Sequence, residues 1–254
     1  MVENDHISTG IENLDKLLEG GIQKGFTTLI LGSPGSSIEI LGKQLSSTNN
    51  VLYITTDESK EDVTKTMDRF GWNISKIEFL DISSQFSQEI LKGIGRPINV
   101  YEQKTKSKIK ELIKEGSSNI NLESNKINDY LSYMLDNIKN KNYEKAIINN
   151  LDFFISEYSN DKVFRIIQEI KIQNYENNSA LFMILTKGVY GEVLEKKLEG
   201  ISDCVIELEV IQKGSTFERF LTIKKLRNFA KRIGIARYVV ESNGFVLETV
   251  ERIM

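Results

Sequence analysis

The sequence is poor in the residues that most often build metal and nucleophile sites. Among its 254 residues are one cysteine, Cys204, and one histidine, His6. A single cysteine excludes a disulfide within the chain and favours a reducing compartment. One cysteine and one histidine also exclude a zinc cluster built from these residue types. A Ser-His-Asp triad deep in the fold is excluded because His6 lies near the beginning of the chain.

Long apolar runs and prolines are also scarce. No stretch approaches the roughly 18 uninterrupted apolar residues of a membrane span, and the acidic residues 1–5 lack the apolar core of a signal peptide. The chain contains two prolines and no internal repeat, and its net charge of −3 points to no particular partner. We therefore expect a single domain covering residues 1–254, located in the cytoplasm and without membrane contact.

What the chain does contain is a series of short apolar runs separated by segments of helical periodicity. Apolar residues make up 40% and charged residues 27% of the chain, as in an ordinary globular protein. Runs rich in Ile, Val, Leu and Phe are typical of a mostly parallel sheet covered by helices on both faces. The predicted strands are 27–31, 51–55, 77–81, 145–149, 181–185 and 204–210.

A β-hairpin is predicted near the C-terminal end of this α/β fold. The segment 219–224 has strand character, and we expect it to pair with either 238–240 or 245–247. Ser242-Asn243-Gly244 supplies a turn in this region, because Asn and Gly tolerate positive φ.

The segment 83–142 is the least typical part of the chain, because it is polar and rich in Lys, Glu and Asn. Within it, residues 128–138 carry apolar side chains at helical spacing, which predicts an amphipathic helix leading into the strand 145–149. These apolar residues are Tyr130, Leu131, Met134, Leu135 and Ile138. We expect the stretch before that helix to be an elaborated connection on the surface.

The motif with the clearest chemistry lies between a predicted strand and a predicted helix. Residues 29–40 have the layout of the phosphate loop G-x-x-x-x-G-K-[ST]. In such a loop, backbone N–H groups at a helix N-terminus and a lysine bind phosphate. The candidate nucleotide-binding residues are Gly32, Ser33, Pro34, Gly35, Ser36, Ser37, Ile38 and Glu39.

Three positions of this loop depart from the pattern. Ser37 stands at the second motif glycine, Ile38 at the lysine, and Glu39 at the hydroxyl residue that holds magnesium. Ile38 supplies no charge to the phosphates. At ~4 Å and an effective dielectric constant of about 20, the Glu39 carboxylate would repel a phosphate by about 4 kcal/mol unless a cation lay between them. Alternatively, Glu39 fills the anion position at its own helix N-terminus and stabilises an empty loop.

Several segments carry a family likeness. Residues 8–25 precede the predicted first strand and the loop, and they resemble the corresponding segment of KaiC-like, RadA-related members of the RecA superfamily. Four further segments resemble segments of that family and follow in the same order along the chain, namely 52–59, 71–74, 199–208 and 225–228. The resemblance covers nearly the whole chain outside about 83–142 and implies a RecA-like P-loop NTPase fold.

The resemblance also implies roles for particular residues. Asp57 and Glu58 match the family's catalytic acidic pair, which orients the water that attacks the γ-phosphate; the alternative is an acidic pair favoured by a helix N-terminus. Asn149 stands where the family has the aspartate that organises magnesium, and a neutral amide stabilises a divalent cation much less than a carboxylate. Asp152 is the nearby candidate for a displaced substitute. We therefore expect no metal and no bound cofactor, with ATP and magnesium as the alternative.

Lys225 and Arg227 match the family's basic stretch that reaches the nucleotide of a neighbouring subunit. They lie within 212–237, which contains eight Lys or Arg residues and one Glu. Three interpretations stay open here: a phosphate contact across a subunit interface, a nucleic-acid-binding patch, or a solvated strand face.

These observations together predict a KaiC-like protein whose role is regulatory or scaffolding rather than catalytic. We expect it to associate with itself or with an active KaiC-like paralogue. The alternatives are a weak ATPase that uses Asp57 and Glu58, and a nucleic-acid-binding module that uses the C-terminal basic stretch.

Overall fold

Most of the strands have seven residues or fewer, and the strands at the centre of the sheet are buried. The computed structural model describes residues 5–48, 50–94, 129–228 and 234–248. Its strands are β1 (His6–Ile7), β2 (Ile22–Gln23), β3 (Thr27–Gly32), β4 (Val51–Thr55), β5 (Ile77–Asp81), β6 (Lys145–Ile148), β7 (Ala180–Thr186), β8 (Cys204–Lys213), β9 (Thr216–Leu226), β10 (Ile235–Glu241) and β11 (Gly244–Leu247).

Helices connect most of these strands. They are α1 (Glu12–Leu17), α2 (Ile38–Leu45), α3 (Lys60–Arg69), α4 (Ile82–Ile94), α5 (Tyr130–Asn140), α6 (Asp152–Glu157), α7 (Asn160–Asn177) and α8 (Glu192–Ile201). Among the helices of the described ranges, none combines the length and the apolar character of a membrane span.

One nine-stranded sheet organises the described residues, in the order β11-β10-β9-β8-β3-β7-β6-β4-β5. The six strands from β8 to β5 in that order run parallel to their neighbours. The strands β9, β10 and β11 continue the sheet in antiparallel pairs. The carboxyl ends of the parallel strands therefore meet at one edge of the sheet, which we name the carboxyl edge.

The inner parallel strands β3, β4, β6 and β7 are buried on both faces because a layer of helices covers each face. Along β3, Leu29 and Leu31 pack into a core with α5, α6, α7 and α8, while Ile30 packs on the opposite face with α1, α2 and α3. This two-sided burial explains why the strands have continuous apolar runs rather than an alternating pattern.

The predicted parallel strands are confirmed: 51–55 and 77–81 match the structure, and the ends of the others shift by at most three residues. The C-terminal prediction needs a correction. The strand β9 pairs with β8 on one side and with residues 235–237 of β10 on the other, whereas 238–240 pair with β11. The turn at 242–244 joins β10 to β11, so the tight hairpin that it closes does not contain 219–224.

The atypical segment is more regular at its beginning than the sequence indicated. Residues 82–94 form the helix α4, so this part is not an irregular connection. The amphipathic helix is confirmed as α5, which is capped by the Asp129 side chain and buries all five predicted apolar residues. The rest of the predicted connection, residues 95–128, lies outside the described residues and includes Asn128, the first residue of the predicted helix. A single domain over 1–254 stays a prediction.

Candidate functional site at the carboxyl edge

The phosphate-loop residues lie where the carboxyl end of β3 turns into α2. Gly32 ends the strand, and Ile38 begins the helix. Between them, the Ser36 N–H donates to the Ser33 carbonyl at 3.0 Å. Ser37 has a φ of +59°, in the left-handed region that glycine adopts readily and other residues adopt at a cost. The backbone thus has the conformation that suits the motif glycine, although serine occupies it.

Ile38 lies across the beginning of the loop. A Cβ atom placed on Gly32 would come within 2.6 Å of Ile38 Cδ1, so the two residues are in close contact. Ile38 is half-buried and packs against the apolar core on the α2 face of the sheet. Glu39 is exposed and, within the described residues, accepts no hydrogen bond from the loop. The interpretation that Glu39 fills the anion position therefore gains no support from these contacts.

A second group of polar residues lies at the carboxyl ends of β4 and β6, two neighbouring strands. Asn149 directly follows β6, and its Oδ1 accepts the Thr56 N–H at 3.0 Å. The Asn149 Nδ2 donates to one oxygen of Asp57, and the Asn150 Nδ2 donates to the other oxygen at 3.3 Å. The predicted magnesium-organising position and the predicted catalytic aspartate are therefore in direct contact, through amide donors.

Glu58 is held by a lysine that sequence reasoning missed. The Lys43 Nζ lies 2.7 Å from Glu58 Oε1, and the Lys43 side chain is only 3% exposed. Next to this pair, burial raises the pKa of the Tyr53 phenol, and the charges of Glu58 and Asp57 raise it further. No local signal in the sequence marks this lysine, because helical spacing places position 43 away from the face that Leu41 and Leu45 share.

Asp152 lies beside the same group at the beginning of α6. Its Oδ2 accepts the Thr186 hydroxyl at 2.6 Å, and its Oδ1 is buried with no hydrogen-bond partner in the described part of the chain. Burial raises the pKa of the Asp152 carboxyl, and the negative charge of Asp57 adds to that effect. Asp152 is therefore close enough to Asp57 for their charges to interact.

A network of charged side chains flanks the loop on the α8 side of the sheet. Lys187, directly after β7, contacts the Glu207 carboxylate and lies 2.7 Å from Glu209 Oε1. Lys224 lies 2.7 Å from both Glu207 and Glu199. Burial opposes ionisation of Glu207, but hydrogen bonds from the two lysines hold its pKa below the ordinary value. Lys187 lies beside the loop, since its backbone N–H donates to the Gly32 carbonyl at 3.0 Å, and its side chain is already neutralised by carboxylates.

Lys225 and Arg227 lie at the opposite edge of the sheet, because β9 runs antiparallel to β8. Lys225 donates to the carbonyls of Glu199 and Gly200 at the end of α8, at 2.8 and 3.0 Å. Arg227 lies 2.8 Å from the buried Asp203 carboxylate and remains half-exposed. Within a single chain they are therefore remote from the loop, and a role at a neighbour's site stays a prediction.

Metal-binding capacity can be judged from the donor types at the carboxyl edge. Within the described ranges, no group of three or more His, Cys, Asp or Glu side chains is arranged to hold a metal ion. Asp57 and Asp152 both already accept hydrogen bonds from the chain, Asp57 from the Asn149 amide and Asp152 from the Thr186 hydroxyl.

The parallel sheet, the loop after its central strand and the two-sided helix layers define a RecA-type P-loop fold. A solved KaiC-like protein from Pyrococcus horikoshii superimposes with a TM-score of 0.67 and 18% identity, covering 96% of this chain and 98% of that one. At this level of identity the likeness shows the fold alone.

Comparison of sequences identifies the family. The profile of the KaiC ATPase family matches residues 7–90 and 82–251. A UPF0273 protein of Methanopyrus kandleri is 32% identical over 100 residues, which are 36% of this chain and 38% of that protein. The circadian clock protein KaiC3 of Synechocystis is 33% identical over 92 residues, which are 32% of this chain and 18% of that protein. The chain therefore belongs to the KaiC ATPase family, although its matches span well under half the length of these relatives.

Proposed function

We propose that this chain is a member of the KaiC family that has kept the fold but does not hydrolyse ATP. Its role is then regulatory or scaffolding, exerted through association with itself or with an active KaiC-like paralogue. The observation that carries this proposal is the contact between Asn149 and Asp57. An amide N–H donor lies against Asp57 at the position where an active site needs a carboxylate for magnesium.

The other groups around the loop support the same conclusion. Phosphoryl transfer depends on positioned cations that neutralise the charge of the transferred phosphate. Ile38 brings an apolar side chain to the lysine position, and Glu39 brings a negative charge to the magnesium side. Lys187, which lies beside the loop at this edge, is held between Glu207 and Glu209. These residues do not fit magnesium-ATP.

Phosphate release tests the proposal. We expect wild-type protein with ATP and magnesium to release phosphate at the rate of buffer alone, and the Asp57→Ala/Glu58→Ala variant to do the same. The matched control is Glu61→Ala/Asp62→Ala, which removes two exposed carboxylates from the first turn of α3. Release by the wild type that the first double variant abolishes and the control retains would establish the weak ATPase instead.

Association is the second part of the proposal. Half of the Arg227 side chain is exposed beyond its contact with Asp203, so it remains available to a neighbouring subunit. We expect Lys225→Ala/Arg227→Ala to weaken assembly, and to reduce its salt dependence, more than Lys65→Ala on the exposed face of α3. Light scattering across a salt series measures this. If both variants assembled to the same extent across the salt series, Lys225 and Arg227 would not belong to the interface.

Binding of nucleic acid is the remaining alternative for the basic stretch. In the described residues, Lys213 and Arg237 lie near the Glu218 carboxylate at 2.7 and 3.8 Å, and Lys224 contacts Glu199 and Glu207. These pairings reduce the positive charge that the stretch presents. An affinity for DNA or RNA that falls steeply with salt would favour this alternative over the regulatory role.

A further inference from the structure

The phosphate loop is held from outside by two side chains of the C-terminal strands. The Tyr238 hydroxyl, from β10, donates to the Ser36 carbonyl at 2.6 Å. The Arg219 Nε, from β9, donates to the Gly35 carbonyl at 3.3 Å. Tyr238 is 1% exposed and stacks on Phe245 of β11 with ring centroids 4.1 Å apart. The donor that reaches Ser36 is therefore fixed by its own packing.

The hairpin formed by β10 and β11 also holds the other end of α2. The Phe245 N–H donates to Gln44 Oε1 at 2.6 Å, and the Gln44 Nε2 donates back to the Phe245 carbonyl at 3.3 Å. The loop before α2 and the last turn of α2 are thus both attached to β10 and β11. The hairpin and the loop-helix unit form one hydrogen-bonded assembly on this face of the sheet.

The direction of these bonds determines where the loop's amides point. In a trans peptide the C=O and the following N–H point in opposite directions. Because the Ser36 carbonyl points toward Tyr238, the Ser37 N–H points away from β10. The Ser37 carbonyl in turn accepts the N–H groups of Ile40 and Leu41, which begins the helix.

From these contacts we infer that Tyr238 is a positioning residue for the phosphate loop. Its hydroxyl fixes the orientation of the Ser36–Ser37 peptide and thereby stabilises the turned conformation of the loop. The ring of a phenylalanine would fill the same space and keep the stacking on Phe245, so the specific contribution is that of the hydroxyl. Arg219 supports the adjacent Gly35–Ser36 peptide from β9.

Amide hydrogen exchange tests this role without any nucleotide, so its outcome is independent of whether the chain binds ATP. The reporters are the N–H groups of Ser36, Ile40 and Leu41, whose acceptors lie in the loop itself. We expect Tyr238→Phe to speed their exchange by about five- to tenfold, the effect of losing one hydrogen bond, beyond any change shared with the rest of the sheet.

The matched control is Tyr143→Phe, which removes a buried phenol that donates to Asn174 Oδ1 at 3.0 Å, far from the loop in the fold. We expect this control to leave the three reporters unchanged relative to the sheet. Arg219→Lys, which keeps the charge and loses the Nε donor, should speed the same reporters by a smaller factor, and it serves if Tyr238→Phe does not fold. The inference would be overturned if the three reporter N–H groups exchanged at the same rates in Tyr238→Phe and Arg219→Lys as in Tyr143→Phe.

Discussion

Lys43 and Glu58 form an ion pair whose lysine is almost completely buried beneath the carboxyl edge of the sheet. Their charged atoms are 2.7 Å apart, and Glu58 is about one third exposed, at 31%. A general base beside a phosphate needs a carboxylate that is free to accept a proton from water. Lys43 instead donates to one oxygen of Glu58 and attaches this side chain to α2. The pair therefore links the helix after the phosphate loop to the segment after β4.

Replacing Glu58 tests this structural role. In Glu58→Gln, Lys43 stays buried without a carboxylate partner, and we expect a loss of about 1–3 kcal/mol of unfolding free energy, less than for a fully buried pair because Glu58 is partly solvated. Urea unfolding measures the loss. Glu61→Gln, an exposed change at the beginning of α3, should cost less than about 0.5 kcal/mol. Equal stabilities of the two variants would show that the pair contributes nothing.

The contact between Asn149 and Asp57 makes a prediction about metal binding. Asn149→Asp replaces an amide donor by a second carboxylate against Asp57, so the two negative charges repel each other. We expect lower stability at neutral pH in the absence of metal and a rise in melting temperature with millimolar Mn²⁺ or Mg²⁺, because the paired carboxylates can then share a cation.

The control for that experiment is Asn150→Asp, at the neighbouring position whose bond to Asp57 is longer, at 3.3 Å, and more exposed. It should show a weaker metal effect. If neither substitution makes the melting temperature depend on the metal, this end of β6 does not correspond to the family's magnesium position.

The left-handed backbone at Ser37 predicts a gain in stability from glycine. A non-glycine residue in this region costs roughly 1–2 kcal/mol, and glycine loses part of that gain through the entropy of the unfolded chain. We expect Ser37→Gly to stabilise the protein by about 0.5–1 kcal/mol in urea unfolding. Asn178→Gly, at a φ of +54°, should gain less because asparagine tolerates this conformation better. A loss on Ser37→Gly would show that the serine makes a stabilising contact.

The buried amine of Lys145 should make the stability of the protein depend on pH. Its buried Nζ donates to the carbonyls of Ser8 and Leu45, and burial lowers its pKa from 10.5 to about 8. Between these two values the unfolded chain binds more protons than the folded one, so the contribution of Lys145 to stability rises with pH.

Lys145→Met provides the reference for that measurement. The difference in unfolding free energy, wild type minus Lys145→Met, should rise from pH 8 to pH 10 by up to about 1.4 kcal/mol per pH unit. A difference that stays flat or falls over this interval would mean that the buried amine keeps its ordinary pKa.

Much of the fold was predictable because its signals are local. Buried parallel strands such as β3 and β7 appear as continuous apolar runs, and the five apolar positions of α5 repeat with a helical period. The pairing partner of β9 was not predictable from such signals. Register in an antiparallel pair depends on contacts between distant segments, and two nearby apolar runs offered equivalent faces.

The candidate site likewise combines features that have local sequence signals with contacts that have none. The loop and the acidic pair follow from short motifs, so their positions at strand ends were expected. Lys43 and Tyr238 belong to no motif, and their partners, Glu58 and Ser36, are 15 and 202 residues away in sequence. Such contacts depend on how helices and strands pack, and a single sequence carries no local pattern for them.

Isothermal titration with ATP and magnesium tests the central claim most directly. A charge-assisted contact from a phosphate-loop lysine contributes roughly 1.5–3 kcal/mol, and this chain lacks both that contact and the carboxylate at Asn149. We predict a Kd weaker than about 100 µM for the wild type, and tighter binding when Ser37→Gly, Ile38→Lys and Glu39→Thr are combined. A low-micromolar Kd for the wild-type chain would contradict the account.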